Sequence, residues 1–281
     1  MKFSVSSYSF SQLIKKGEMT QLDTIAKAKE MGFDGIEFVE IKNHTDGDLA
    51  EYAKRLKGEA ERCDIEVSNV SFGADFINND FDSEVKRVKE MIGAAAETGT
   101  KFIRHDVLYS LPQGKSFGLV VDKIADACRE IADYTAKTGI TAMVENHGFI
   151  CQDSVRMEEL FTKVNHPNFR LLCDMGNFLC ADENPLSAVS RVAPLTGYVH
   201  AKDFIVKSGN GPDPGKGFFK SRGGNYLRGT IAGHGTVPVK QIIETLRKAG
   251  FDGWIALEFE GLEDALFGIE TGFENLKKYY E

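Results

Sequence analysis

Apolar positions along the chain follow two rhythms that take turns. Short runs rich in β-branched and aromatic residues recur eight times, and longer stretches with helical spacing separate them. The strand-like runs are Phe3–Phe10, Gly35–Val39, Ile65–Phe72, Lys101–Val107, Thr141–His147, Phe169–Asp174, Gly197–Asp203 and Trp254–Glu260. Helical patterns cover Thr20–Met31, Leu49–Cys63, Ser83–Thr98, Phe117–Thr138, Ser154–Val164, Val239–Ala249 and Leu262–Tyr280, with a shorter one around Pro185–Val192. Gly32, Gly99, Gly139 and Gly250 each close a helical run and precede a strand, where a helix-ending glycine belongs. The phrases M-G-F-D-G-I-E (31–37) and A-G-F-D-G-W-I (249–255) mark two equivalent helix-to-strand joints.

Alternating strands and helices imply parallel pairing through right-handed crossovers. Eight such units without a Pro/Gly/Ser-rich linker predict an α/β protein closed into a single (β/α)8 TIM barrel spanning residues 1–281. The alternative is a doubly wound open sheet, but no G-x-G-x-x-G follows the first strand. Residues 204–236 break the rhythm, with seven glycines between 209 and 229, Lys216, Lys220 and Arg222, and the pair Phe218–Phe219. A long loop after the seventh strand is expected to hang over the C-terminal mouth as a lid or substrate loop. A solvated surface excursion is the other reading.

The last four strands place an acid or a histidine near their C-terminal ends. They read A-M-V-E-N-H, L-L-C-D-M-G-N, G-Y-V-H-A-K-D and I-A-L-E-F-E-G, which puts Glu145, Asp174, His200 and Glu258 at comparable positions. Alternation sends Ile255, Leu257 and Phe259 toward the helices and Ala256, Glu258 and Glu260 inward. Tyr198, His200 and Lys202 sort inward in the same way. Three inward carboxylates and an imidazole need a proton or a cation for relief. Hard oxygens with one nitrogen suit a divalent metal, Mn²⁺ first, with Mg²⁺, Co²⁺ or Zn²⁺ as alternatives. A buried hydrogen-bond network with Lys202 as internal cation would satisfy the same residues.

Around this core, His147 shares the face of Glu145 and is a candidate for proton transfer or substrate contact, with packing as the plainer role. Lys202 is placed to stabilise an oxyanion or to pair with a carboxylate. Glu260 sits beside it, and His234 follows the seventh strand as a further substrate candidate. Glu37, Arg104, His105 and Asp106 lie at the same mouth and read as a structural arginine–carboxylate pair. His44 and His166 read as surface residues.

Composition narrows the function classes. The chain has 281 residues, 42% hydrophobic and 27% charged, with a formal charge of −8, which disfavours non-specific nucleic-acid binding. No apolar leader or membrane-length run is present, and five cysteines without C-x-x-C fit free thiols in a reducing cytoplasm. A cytoplasmic protein is expected, with neither nucleic acid nor membrane as partner. A homo-oligomer, dimer or tetramer, remains open.

The motifs E-N-H-G (145–148), D-M-G-N (174–177), H-A-K-D (200–203), G-H-G-T-V-P (233–238) and W-I-A-L-E-F-E-G (254–261) resemble the xylose isomerase-like barrels, the sugar isomerase/epimerase and AP-endonuclease-2 superfamily. The resemblance spans essentially the whole chain and implies an enzyme with a small-molecule carbohydrate substrate. In similar ketose 3-epimerases the corresponding Glu, Asp, His and Glu bind the metal, and the two glutamates exchange the substrate's protons. That implies Glu145 and Glu258 as proton carriers here. Where those epimerases have a His three residues after the metal Asp and an Arg six after the metal His, this chain has Asn177 and Val206. Asn177 remains able to bond a hydroxyl, and Arg222 or Arg228 is the candidate replacement cation.

Two functions are therefore expected in order. The first is a metal-dependent sugar isomerase or epimerase working through an enediolate. The second is a metal-dependent lyase or dehydratase on a keto-sugar, keto-inositol or 3-keto-glycoside, with His147 as acid or base. A repair endonuclease fits poorly: resembling members carry several zinc ions and many more histidines at the mouth, whereas this chain has six histidines in total, a charge of −8 and no basic stripe. A non-catalytic sugar-binding barrel is a further class, distinguishable by ligand binding without turnover.

Overall fold

The computed structural model describes residues 1–41 and 48–281, so His44 lies outside the described residues. Seven parallel strands come first: β1 (Lys2–Ser6), β2 (Gly35–Val39), β3 (Glu66–Phe72), β4 (Phe102–His105), β5 (Thr141–Glu145), β6 (Phe169–Asp174) and β7 (Thr196–Ala201). The chain then leaves for β8 (Asp203–Lys207), β9 (Phe219–Lys220) and β10 (Tyr226–Thr230), and returns as β11 (Trp254–Leu257). Strand β11 lies between β7 and β1 and closes an eight-stranded barrel. No helix among the described residues is long and apolar enough to cross a membrane.

Alternation sorts the strands as their sequences require. Met143, Leu172, Tyr198, Trp254 and Ala256 form a small cluster inside the barrel. Their neighbours Val144, Leu171, Val199, Ile255 and Leu257 belong to the large outer core under the helices. Fully burying each such aliphatic side chain is worth about 1.5–3 kcal/mol, so a one-residue slip that turned this row to the other face would be very costly. Two residues beyond Met143, Leu172, Tyr198 and Ala256 on the inner face stand Glu145, Asp174, His200 and Glu258.

The outer ring comprises α2 and its successors, after a short α1 (Ser11–Lys16). These are α2 (Asp23–Glu30), α3 (Leu49–Arg62), α4 (Phe81–Ala96), α5 (Val121–Ala136), α6 (Ser154–Val164), α7 (Pro185–Val192), α8 (Val239–Lys248) and α9 (Ala265–Tyr280). The short sixth crossover is therefore a helix with the bounds expected. The two repeated joints are equivalent in detail: Gly32 and Gly250 have φ of 89° and 87°. The following Phe33 and Phe251 donate N–H groups back to Ala28 O and Leu246 O at 3.1 and 3.0 Å, closing α2 and α8 alike.

Two expectations are corrected. The first strand stops at Ser6, and Ser7–Phe10 is a 3₁₀ turn leading into α1. Its serines satisfy backbone elsewhere: Ser7 Oγ accepts from Val39 N at 3.0 Å, and Ser9 Oγ accepts from Phe259 N at 2.9 Å. Alternation of apolar residues with serine imitated a longer strand. The second correction concerns 204–236, which is no simple loop. Strands β8, β10 and β9 form an antiparallel three-stranded sheet, with Asp203 opposite Thr230 and Lys207 opposite Tyr226. Phe204, Leu227 and Cys180 bury a core of its own beneath it.

Asp203 ties this sheet back to the barrel. Its carboxylate accepts backbone N–H groups of Phe204, Gly233, Gly235 and Val237 at 2.8–3.0 Å. A Cβ at Gly235 would come within 2.2 Å of that carboxylate, so only glycine fits there. The H-A-K-D and G-H-G-T-V-P motifs are thus two halves of one structural knot. All five cysteines are free, and four of them are buried.

Candidate metal centre

Glu145 ends β5, Asp174 ends β6, His200 lies within β7 and Glu258 follows β11, whose backbone N–H still bonds Ala201 O at 3.1 Å. One donor atom from each residue falls within 4.8 Å of every other. All four side chains are buried. Local sequence explains their seating. Asn146 locks β5 to β6, accepting from Asp174 N at 2.8 Å and donating to Asp174 O at 3.0 Å. Asp174 Oδ1 accepts the N–H groups of Gly176 and Asn177 at 2.7 and 2.9 Å, a turn that the D-M-G-N sequence favours. Its second oxygen, Oδ2, is left buried without a hydrogen-bond partner.

His200 is held from the opposite side of the barrel. Its Nε2 lies 3.0 and 2.9 Å from the two oxygens of Glu37, on β2. Its Nδ1 has no hydrogen-bond partner and faces Glu145, Glu258 and Asp174 at 3.4, 3.5 and 3.9 Å. The expected pairing of Glu37 with an arginine is thereby corrected, because its carboxylate serves the imidazole. Arg104 does form the arginine–carboxylate pair, reaching Glu145 at 2.8 Å and Asp106 at 2.7 Å.

Charge does not balance within this shell. Among the described residues, Glu37, Asp106, Glu145, Asp174 and Glu258 face only Arg104 and Lys202 as fixed cations. Burial pushes the Asp174 carboxyl up to about 6, against the pull of the Lys202 ammonium. Burial acts likewise on Glu145 and Glu258, but Arg104 and Lys202 respectively overcome it and hold both below the usual range. His200 is raised well above an ordinary imidazole because carboxylates outweigh its burial. The cluster thus draws in positive charge, and His200 Nδ1, which has no hydrogen-bond partner among the described residues, faces its centre. Three carboxylates and one imidazole nitrogen fit a hard or borderline divalent cation.

A cavity of about 320 Å³ opens above this floor, and its lining includes Tyr8, Ser71, Arg104, Asp106, Tyr109, Glu145, His147, His200, Lys202, Glu258 and Glu260. His147 lies on its wall, with Nδ1 2.9 Å from Asp106 Oδ1, leaving Nε2 as the ring's other polar atom. Burial lowers the affinity of His147 for a proton, but Asp106 more than restores it, so the ring is raised overall. Lys202 Nζ lies 2.6 Å from Glu258, 3.3 Å from Glu260 and 3.4 Å from Asp174.

Other expected residues lie apart from the cavity lining. Asn177 is buried and donates Nδ2–H to Glu145 Oε1 at 3.1 Å, so it braces a candidate ligand. Arg222 turns toward the loop after β5, donating to Phe149 O at 2.9 Å, Ile150 O at 3.3 Å and Asp153 Oδ2 at 2.7 Å. Its guanidinium is consumed in joining two loops. Arg228 stacks on Phe218 at 5.6 Å, and His234 is exposed on the turn held by Asp203. His166 pairs with Asp133 at 3.2 Å. His105 faces away from the cavity, against Phe76. Sequence reading passed over Tyr8 and Tyr109, both lining the cavity; Tyr8 lay inside the expected first strand, and Tyr109 two residues past the expected end of the fourth.

Comparisons with known proteins agree with this architecture. A family model described as "Xylose isomerase-like TIM barrel" matches residues 25–279. An inosose dehydratase of Geobacillus thermodenitrificans is 23% identical over 258 residues, covering 87% of this chain and 83% of that protein. The IOLI protein solved with a bound zinc atom superposes with a TM-score of 0.77 at 17% identity, covering 100% of this chain and 98% of the other. The 3-keto-D-glucoside 4-epimerase YcjR of E. coli gives a TM-score of 0.70 at 17% identity over 99% of both chains.

Proposed function

The chain belongs to the xylose isomerase-like TIM barrel family, and from that premise we propose that it is a divalent-metal-dependent enzyme that removes a proton beside the carbonyl of a keto-sugar or keto-inositol. The observation that carries this reading is the convergence of Glu145, Asp174, His200 Nδ1 and Glu258 on one point beneath a polar cavity, with His200 Nδ1 lacking a hydrogen-bond partner among the described residues. Those four residues would hold the metal, and the likeness in fold to a protein solved with a bound zinc atom supports a divalent cation. When bound, a divalent cation acts as a Lewis acid that favours loss of a proton next to a carbonyl.

The chain's own groups supply the rest. Tyr8 and Tyr109 wall the entrance, and Lys202 offers an ammonium to an oxygen on which charge develops. His147 is oriented by Asp106, itself fixed by Arg104, so its Nε2 is the atom through which a proton leaves or arrives. This geometry moves elimination of water ahead of epimerisation. Glu145 is bound by Arg104 and Asn177, whereas His147 stands at the cavity wall with one nitrogen uncommitted. The likeness to an inosose dehydratase over 87% of the chain supports the same order. Epimerisation or isomerisation is the second reading, favoured by Glu145 and Glu258 flanking His200 at 3.4 and 3.5 Å as two separate carboxylates.

Incubating the Mn²⁺- or Co²⁺-loaded protein in deuterated water with inososes, 3-keto-glucosides and ketoses tests the proposal. Elimination gives loss of water and a new enone absorbance, whereas epimerisation gives an isomer carrying solvent deuterium. Absence of product and of deuterium across the panel would overturn both.

A further inference from the structure

We propose that Glu37 is the positioning residue of this centre, a buried carboxylate that holds His200 in the ring orientation and tautomer presenting Nδ1 to a divalent cation. The inference rests on the metal-centre reading and deepens it. Glu37 comes from β2, across the barrel from the strands that carry the four candidate ligands, and nothing in the spacing of those ligands points to it. Its side chain has no solvent exposure. Besides His200 Nε2, it accepts from Asn69 Nδ2 at 3.2 Å and Ser6 Oγ at 3.4 Å.

A carboxylate is an expensive group to place there. A glutamine has almost the same shape, would still accept hydrogen bonds, and would avoid burying a charge. What a glutamine lacks is the guarantee of tautomer. An ionised carboxylate only accepts, so the ring nitrogen facing it must be N–H, and Nδ1 is then the nitrogen that can give up its proton and present a lone pair to a cation. A glutamine amide can donate to Nε2 instead, allowing the hydrogen to sit on Nδ1 and close that lone pair. Nδ1 is the atom that the protein leaves without a hydrogen-bond partner, 3.4–3.9 Å from three carboxylates. The two-oxygen approach of Glu37, at 3.0 and 2.9 Å, also fixes the plane of the ring.

Titration of chelator-stripped wild type, Glu37→Gln and Glu37→Asp with Co²⁺ decides the matter, read by the visible d–d absorption and by calorimetry. Carboxylate partners of metal-bound histidines typically change affinity by about 10- to 100-fold, and Glu37→Gln is expected to weaken Co²⁺ binding by that factor. Its metal-free unfolding midpoint should stay at or above the wild-type value, and Glu37→Asp should recover part of the affinity. A dissociation constant for Glu37→Gln within twofold of wild type overturns the proposal, whatever happens to the midpoint. Should Glu37→Gln not fold, Asn69→Ala, which loosens the seat of Glu37, takes its place. Weaker binding there supports the role, and unchanged binding overturns it. Failure of the wild type to bind Co²⁺ stoichiometrically is a separate result that removes the metal centre and this inference with it.

Discussion

At the scale of single residues, two histidines next to the site have opposite duties. His147 faces the cavity with Asp106 behind it, and a positioned acid or base of this kind contributes about 10²–10⁴-fold to rate. His147→Gln is expected to lower turnover by that order while Co²⁺ affinity stays within severalfold of wild type; a parallel loss of metal would show the ring to be a ligand's support instead. His105 points the other way, with no solvent exposure, its Nδ1–H donating to Asp106 O at 2.8 Å. Burial pushes its imidazole down to about 4, so the folded protein keeps it neutral while an unfolded chain protonates it near 6.5. Stability from this residue is complete above about pH 6.5 and drains away as pH falls toward 4, by up to roughly 3 kcal/mol. The stability of wild type relative to His105→Gln, which keeps a donor but does not titrate, should fall by that amount between about pH 6.5 and pH 4 in thermal unfolding. Parallel curves would count against the assignment.

At the scale of elements, the small sheet of β8, β9 and β10 is the feature the sequence concealed. Seven glycines between 209 and 229 masked two five-residue strands, and pairing between chain segments some twenty residues apart leaves no periodic trace. The barrel strands were legible because each buries two faces and so repeats an apolar run. The four candidate ligands stood out in the sequence because charge at the inward position of such a run is improbable without compensation. Glu37 was legible as a strand residue but not as the partner of His200, since contact across a barrel depends on closure. Arg222 misled for a related reason: a basic residue in a glycine-rich stretch suggests an anion site, whereas here it staples the sheet's edge to Phe149, Ile150 and Asp153. Asp182 completes the staple through Ser221 Oγ at 2.5 Å and Asn225 Nδ2 at 2.7 Å. Arg222→Ala is expected to raise amide exchange by tenfold or more in residues 148–153, next to His147, and to leave metal affinity unaltered. Arg222→Lys, without the planar fork, should restore little of the protection. Unchanged exchange in the alanine variant would mean that the sheet is held by its apolar contacts alone.

For the whole molecule, the argument turns on how an otherwise greasy barrel tolerates so many acids at one end. The lower interior is conventional, with Met143, Leu172, Tyr198 and Ala256 filling it. Above it, five carboxylates share two fixed cations, an arrangement whose desolvation cost Arg104 and Lys202 offset only in part. The barrel closes around this deficit, because Glu37 on β2 and Glu258 after β11 meet His200 only when β11 pairs with β1. A cation bound there contacts residues from β5, β6, β7 and the end of β11 at once and has no such site in the unfolded chain. Ligand that binds only the folded state adds about 2.7 kcal/mol at 100 times its dissociation constant, or roughly 5 °C in unfolding midpoint for a chain of this size. Mn²⁺ or Co²⁺ should therefore raise the midpoint of chelator-stripped protein by that amount and in a concentration-dependent way. Glu258→Ala should abolish the shift, because it removes one donor and leaves Lys202 to pair with Asp174 at the place the cation would occupy. A shift of wild-type size in Glu258→Ala would put the metal elsewhere on the protein, and the interior acids would then have to be explained by Arg104, Lys202 and protons alone.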